Sequence, residues 1–289
     1  MKDFMQQHTI LIVGCGDVGS KLGEQLLQQG HKVFGLRRNI NQLPSGIQGI
    51  SADLTQLDDL KAKLQNYQFD IIVYSAAASE HTPEGYQRAY VDGLNNTLNA
   101  LVQKPSHLFF TSSSGVYHQN DSSWVDEESP CHPGTFSGQI MLQAEQAVQM
   151  AEIPSTVVRF TGIYGPGRNH LLNRVKRGDV APKNPDQYSN RIHRDDCAGV
   201  LNHLINKVFN KEDIKALYLA TDDTPATMYE VTHWMAKQMQ TEIKTETASR
   251  RAGSKRCSNE RLKESGYEFI YPGFKEGYTD LLEACPHAD

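Results

Sequence analysis

The segment Gly14-Cys15-Gly16-Asp17-Val18-Gly19 constrains this chain more than any other. It follows a short β-rich run, Thr9 to Val13, and leads into a helical pattern from Val18 to Gln29 that stops at Gly30. Strand, glycine turn and helix open a βαβ unit, and in that setting the G-x-G-x-x-G spacing points to a dinucleotide. The first glycine permits the tight turn, the second lets a pyrophosphate reach the backbone, and the third lets helix and strand pack closely. Free amides at the helix N-terminus add positive potential. Gly14, Cys15, Gly16, Asp17, Val18 and Gly19 are therefore candidate cofactor residues. The competing reading, a glycine turn with no ligand, would lower helix and strand stability without compensation.

The second strand, His31 to Leu36, runs into Arg37-Arg38. An NAD site expects an acidic residue about 20 residues past the glycines to hold the ribose 2′-hydroxyl. Here that distance brings Arg37, whose forked guanidinium suits a 2′-phosphate. NADP is expected over NAD, with Arg37 and Arg38 as its ligands; solvated arginines at a strand end are the alternative. Asp53, just past the third strand (Gly49 to Ala52), either accepts from the adenine amino group or caps the next helix. Leu54 beside it, and Ala76 and Ala77 after the fourth strand, complete the expected cofactor loops.

The alternation continues. A helix is expected over Leu57 to Gln65, a strand over Phe69 to Ser75, a long helix over Pro83 to Val102, and a strand over His107 to Thr111. After a polar loop, Ser122 to Gly134, come a helix over Gln139 to Met150 and a sixth strand, Thr156 to Phe160. Regular alternation of this kind gives an α/β fold, a Rossmann doubly wound parallel sheet with helices on both faces. Past Gly165-Pro166-Gly167 a loop rich in Pro, Asn and Gly extends to about residue 190. A helix at Asp195 to Val208 and a strand at Leu217 to Ala220 follow. The expected organisation is a dinucleotide-binding domain over 1–165 and a smaller C-terminal substrate-binding region over 166–289. The strand near 215–220 should return to the sheet. No flexible linker separates the two parts, so they are expected to pack as one unit around a cleft.

With 29 Lys+Arg against 34 Asp+Glu, the net charge is −5, which leaves no basic footprint for sequence-independent nucleic-acid binding. No apolar run nears the ~20 residues of a membrane span. The opening MKDFMQQH does not read as a secretory signal, so the expected location is the cytoplasm. The 5 cysteines, at 15, 131, 197, 257 and 285, form no C-x-x-C pair and suggest structural thiols. The histidines form no metal motif, so no metal is expected.

Further motifs fall in order: Ser75-Ala76-Ala77-Ala78, Thr111-Ser112-Ser113-Ser114-Gly115-Val116-Tyr117, Arg159 through Gly165-Pro166-Gly167, Arg191-Ile192-His193-Arg194-Asp195-Asp196, and Lys255-Arg256-Cys257-Ser258-Asn259-Glu260-Arg261-Leu262 before Gly266-Tyr267. With the glycine loop, this set resembles the extended short-chain dehydrogenase/reductase superfamily of NAD(P)-dependent epimerases and dehydratases. The end of the chain looks like an atypical branch named for nucleoside-diphosphate-sugar epimerases. The resemblance implies that Ser113 orients a substrate hydroxyl or carbonyl. It also implies a homodimer through the helices at Pro83 to Val102 and Gln139 to Met150. Position supports Ser113 independently, because open α/β sheets bind ligands beyond the carboxyl ends of their strands; a run of serines that only caps the loop is the alternative.

One departure matters. The superfamily carries Tyr-x-x-x-Lys at the start of the following helix, and here the two positions fall on Ser137 and Met141, or on Phe136 and Ile140. Neither register offers a titratable pair. Tyr271-Pro272-Gly273-Phe274-Lys275 matches literally but cannot be a helical turn. Gly162 also stands where the sugar-nucleotide enzymes commonly have Asn. Tyr164, Tyr117 and His193 are the remaining candidate proton donors, each with a packing role as its alternative. Asp195 and Asp196 open a helix, and capping is the better reading for at least one. Ser114, Tyr117, Arg168, His193, Lys255 and Arg256 are candidate substrate contacts, the last two for a phosphate or carboxylate. The expected activity is NADP-dependent oxidoreduction or epimerase-like chemistry on a small hydroxyl or carbonyl substrate, which a phosphate group would suit. A non-catalytic NADP(H) sensor is the alternative.

Overall fold

The computed structural model describes residues 6–248 and 253–284. Cys285, residues 1–5 of the opening segment and residues 249–252 lie outside them. In chain order the first elements are β1 (Thr9–Val13), α1 (Asp17–Gln28), β2 (Lys32–Arg37), β3 (Gln48–Ser51), α2 (Leu57–Leu64), β4 (Ile71–Tyr74), α3 (Pro83–Tyr86), α4 (Gly93–Ala100) and β5 (His107–Ser113). Next come β6 (Trp124–Val125), α5 (Phe136–Met150), β7 (Ser155–Phe160), β8 (Gly162–Tyr164), α6 (His170–Lys176), β9 (Asp179–Val180), β10 (Tyr188–Ser189), β11 (Arg191–His193) and α7 (Arg194–Phe209). The last are β12 (Leu217–Ala220), β13 (Ala226–Thr227), α8 (Met228–Gln238), β14 (Thr245–Glu246), β15 (Arg256–Cys257), α9 (Glu260–Glu264) and α10 (Phe274–Ala284).

Seven strands form one sheet in the order β12-β7-β5-β4-β1-β2-β3. The order reverses between β1 and β4, the switch point at which doubly wound sheets bind ligands. The central strands β1 and β4 are buried along almost their whole length, as a sheet covered on both faces requires. The returning strand near 215–220 is β12, at the sheet's edge.

The chain divides into two compact units, and it passes between them several times. The first comprises residues 1–116, 132–159 and 198–218; the second comprises 117–131, 160–197 and 219–289. The second holds four two-stranded ribbons, β8 with β11, β6 with β15, β9 with β14, and β10 with β13. Its core gathers Tyr164, Val175, Val180, Val231, Met235, Phe274 and Tyr278.

Two stretches depart from the sequence expectation. The helix expected over Pro83 to Val102 forms as one continuous run to Ala100, but α3 and α4 are joined through a wide π turn, Gln87–Asp92. There the Tyr74 hydroxyl donates to the Ala89 carbonyl at 2.5 Å, an extra bond from β4 at the π turn. The loop expected from 167 to 190 contains α6, whose Val175 is buried in the core of the second unit while Leu171 and Leu172 pack against it.

Candidate active site

In the first unit the glycine loop leaves β1 at the switch point. Gly14 has φ +77, and a Cβ there would fall 2.2 Å from the Cα of Ala76, on the loop after β4. Only glycine meets both the backbone and the space requirement. Gly19 faces Ile12 and the Ser75 hydroxyl so closely that a Cβ would collide at 2.9 Å, which brings α1 tight onto β1. Gly16 differs: a Cβ there would meet only the Gly14 carbonyl, at 3.8 Å. It caps α1 without a side chain, so the helix opens onto space with its first amides outside the intrahelical ladder. That is the cradle a pyrophosphate requires, and these residues fit a dinucleotide. Cys15 contributes backbone alone; its thiol is buried and pushed up to about 11 by desolvation. Asp17 is exposed and Val18 half-buried at the start of the helix.

Arg37 lies beside this loop. Its Nη1 donates to the Cys15 carbonyl at 3.1 Å and its Nη2 to Gln42 Oε1 at 2.5 Å, which fixes the guanidinium next to the glycines. Arg38 is exposed. Asp53 is not the cap of α2, whose N-cap is Gln56. Its carboxylate instead accepts from the Thr55 amide at 2.9 Å and the Thr55 hydroxyl at 2.8 Å. The Thr55 amide, with its hydroxyl and the charge of Arg38, holds that carboxyl below the ordinary value against the opposing pull of partial burial. The Leu54 carbonyl is taken by Asn96. Ala76 is buried and Ala77 exposed.

Ser113 ends β5, the strand next to β4. Its hydroxyl oxygen accepts from the Gly115 amide at 3.1 Å, which leaves the hydroxyl hydrogen to be given elsewhere. Ser114 begins the short turn that follows. That turn lies against the start of α5, where a Cβ on Gly138 would come within 2.5 Å of the Gly115 carbonyl. Met141 and Ile140 are buried and Ser137 is half-buried, its hydroxyl 3.1 Å from that of Thr135. Phe136 packs against His81 and Tyr86, ring centroids 5.1 and 5.5 Å away, and His81 Nδ1 lies 3.2 Å from the Tyr86 hydroxyl. The first turn of α5 thus meets a titratable pair supplied by another segment. No motif marked it, because His81 and Tyr86 come to Phe136 only through packing.

A second feature escaped the sequence reading. Ser112 donates to Glu145 Oε1 at 2.5 Å, and Glu145 pairs with Arg159 through two bonds, at 2.9 and 2.6 Å. All three are buried. This ion pair ties α5, β5 and β7 together directly behind Ser113. Arg159 figured in the sequence only as the start of the motif that runs through Gly165-Pro166-Gly167, with no partner assigned to it.

In the second unit the expected residues separate. Tyr164 is 4% exposed, stacks on Tyr278, and donates its hydroxyl to the Gly273 carbonyl at 3.3 Å. Burial pushes its pKa well above the ordinary tyrosine value. This corrects the expectation of a proton donor, since the side chain is a packed aromatic. His193 is also enclosed; its Nδ1 accepts from the Asp195 amide at 3.2 Å and its ring lies 4.0 Å from that of Tyr271. Tyr117 is buried, and its carbonyl accepts from Lys255 Nζ at 3.4 Å. Burial lowers the Lys255 pKa. Arg168 is exposed. Asp196 turns away from its own helix and accepts from the Tyr267 hydroxyl and the amides of Ile270 and Tyr271. Asp222 is buried, and its Oδ1 has no hydrogen-bond partner among the described residues.

Comparison with known proteins places this geometry. The sequence matches the RmlD substrate binding domain family over residues 8–284. The sterol-4-alpha-carboxylate 3-dehydrogenase ERG26 (decarboxylating) of Candida albicans is 30% identical over 187 residues, which cover 57% of this chain and 53% of the relative. The chain thus spans about half the length of the curated relatives it matches. A solved structure from Methylobacillus flagellatus, provisionally named an NAD-dependent epimerase/dehydratase, is 38% identical with a TM-score of 0.84. It covers 98% of this chain and 100% of its own. The Thermus thermophilus UDP-glucose 4-epimerase, solved with NAD, shares the fold at 18% identity and a TM-score of 0.81, over 97% of this chain and 100% of its own. Among the described residues no helix is long and apolar enough to cross a membrane.

Proposed function

Because the chain belongs to the RmlD substrate binding domain family, and with it to the NAD(P)-dependent epimerases and dehydratases, we propose that it is an oxidoreductase acting on a hydroxyl or carbonyl small molecule, with NADP as its preferred cofactor. The observation that carries this reading is the glycine loop: Gly14 pressed on Ala76, Gly16 open at the head of α1, and Arg37 anchored on the Cys15 carbonyl. When bound, the nicotinamide exchanges a hydride with the substrate carbon. The chain binds, orients and moves the proton. The amides opening α1 hold the pyrophosphate, Arg37 and Arg38 meet the 2′-phosphate, and Asp53, with Leu54 and Ala76–Ala77, borders the adenosine. Ser113, with Gly115 fixing its oxygen, donates a hydrogen bond to the substrate oxygen and orients it. Proton transfer falls to the His81–Tyr86 pair beside Phe136, in place of the absent tyrosine. In the second unit Arg168 is exposed and Arg256 half-exposed, and both are candidate contacts for an anionic small molecule.

The test is a titration of NADPH and NADH against the wild type and Arg37→Ala. We expect NADPH to bind at least about tenfold tighter than NADH, and Arg37→Ala to erase that difference. Equal wild-type affinities would remove the 2′-phosphate site. On a panel of aldehydes, ketones and sugar nucleotides, Ser113→Ala should lower turnover by about 100-fold or more. The buried, non-titratable Ile140 and Met141 favour a second reading, an NADP(H) sensor. Tight NADPH binding with no turnover on the whole panel would select it.

A further inference from the structure

In the second unit, β15 runs parallel to β6 with Arg256 opposite Trp124. Successive side chains of an extended segment point to opposite faces, and Lys255 and Arg256 part accordingly. Lys255 reaches the Tyr117 carbonyl, while the Arg256 guanidinium lies between two rings, 5.1 Å from the centroid of Trp124 and 5.3 Å from that of Tyr188. Its Nε donates to the Ser122 carbonyl at 2.8 Å. Among the described residues, its Nη1 and Nη2 have no protein acceptor.

The frame around this arginine is built. Ser122 holds φ +62, a left-handed conformation uncommon for a residue with a side chain, and its hydroxyl lies 2.9 Å from that of the buried Ser254. The Ser254 hydroxyl accepts from the Tyr188 amide. Asn190 clasps the strand from both ends, donating to the Lys255 carbonyl and accepting from the Cys257 amide, at 2.9 and 2.8 Å. Strained backbone fixed by so many bonds occurs where a side chain must be aimed. Aromatic rings flanking the guanidinium restrict its plane, so the entropy of ordering it is already lost before any ligand arrives. What remains open is the in-plane donor pair that fits a two-oxygen anion. Trp124, at 55% exposure, keeps ring surface free beside it.

We infer that Arg256, held between Trp124 and Tyr188, is a preorganised site for a phosphate or carboxylate group whose carrier molecule lies on the open face of Trp124. This rests on the reading of the second unit as the substrate-binding part and narrows its ligand to an anion. Lys255 is outside the site.

The chain has 2 tryptophans, so a Trp234→Phe background leaves Trp124 as the sole indole reporter. Inorganic phosphate, acetate and chloride are titrated at constant ionic strength while indole emission is followed. Thermal unfolding checks each variant's fold, and NADPH affinity is measured separately. We expect a saturable change with phosphate or acetate but not chloride, and the anion that saturates at the lower concentration identifies the group recognised. Arg256→Lys should weaken binding at least about tenfold, because an ammonium cannot present two coplanar donors. Arg256→Met should abolish it, and Lys255→Met should leave it unchanged. NADPH affinity should be the same throughout, which separates failure here from failure of the cofactor reading. No saturable response in the wild type, or an equal response in a folded Arg256→Met, would overturn the site and leave the arginine a strut between two strands.

Discussion

The glycine loop of the first unit and the aromatic interior of the second are assembled from opposite kinds of contact. In the loop, each residue's task follows from its place in a six-residue motif between a strand and a helix. In the interior, Tyr164 meets Gly273 and Tyr278, and Asp196 gathers Tyr267, Ile270 and Tyr271, all far along the chain. The first arrangement is specified locally and kept open for a ligand. The second is specified by partners and is closed. A buried tyrosine whose hydroxyl is engaged in packing contacts, as that of Tyr164 is, is therefore a poor catalytic candidate.

The largest effect should come where the first unit departs from local specification. Glu145→Ala removes the carboxylate that pairs with the buried Arg159 and should cost about 3–5 kcal/mol in urea unfolding. Ser112→Ala, which removes one hydrogen bond to the same carboxylate, should cost only about 1–3 kcal/mol. If both cost the same, the ion pair is not what joins α5 to β5 and β7. A smaller effect tests the closed interior. A Cβ on Gly277 would fall 2.2 Å from the Tyr164 hydroxyl oxygen, so Gly277→Ala should cost about 1–3 kcal/mol. Adding Tyr164→Phe should restore part of that loss, as read by a double-mutant cycle; strict additivity would show that the hydroxyl is not the point of collision. NADPH affinity should not change in either variant.

The gentlest test is of pH. Burial pushes the Asp222 carboxyl up to about 8, with Arg191 opposing it and Asp223 and Asp196 assisting. The folded protein holds that proton where the unfolded chain releases it, so this residue's contribution is fully present below about 4 and is lost as pH rises to about 8. The slope cannot exceed about 1.4 kcal/mol per pH unit. Asp222→Asn should flatten the stability profile between those limits in guanidinium titrations at several pH values. An unchanged slope would mean that other groups set it.

What the sequence made legible follows the same division. The glycine loop, the strand alternation and the position of Arg37 could be read because their causes are neighbours in sequence. The π turn at Gln87–Asp92 could not, since a hydroxyl from β4 accompanies it. Nor could the parting of Lys255 from Arg256, which looked like one basic patch until β6 and Tyr188 supplied the arginine's two rings. The helix α6 hid in a polar, glycine-rich stretch because its apolar face is only three residues wide, Leu171, Leu172 and Val175.

The late return of β12 bears on how the protein can be made. The first unit needs residues 198–218, which leave the ribosome only after much of the second unit has been synthesised. Until then β7 is an open edge, able to pair with the wrong strand. A truncation near residue 165, the natural place to cut on sequence grounds, would make that transient exposure permanent. An isolated cofactor module cut there should aggregate, whereas one that retains β12 should not.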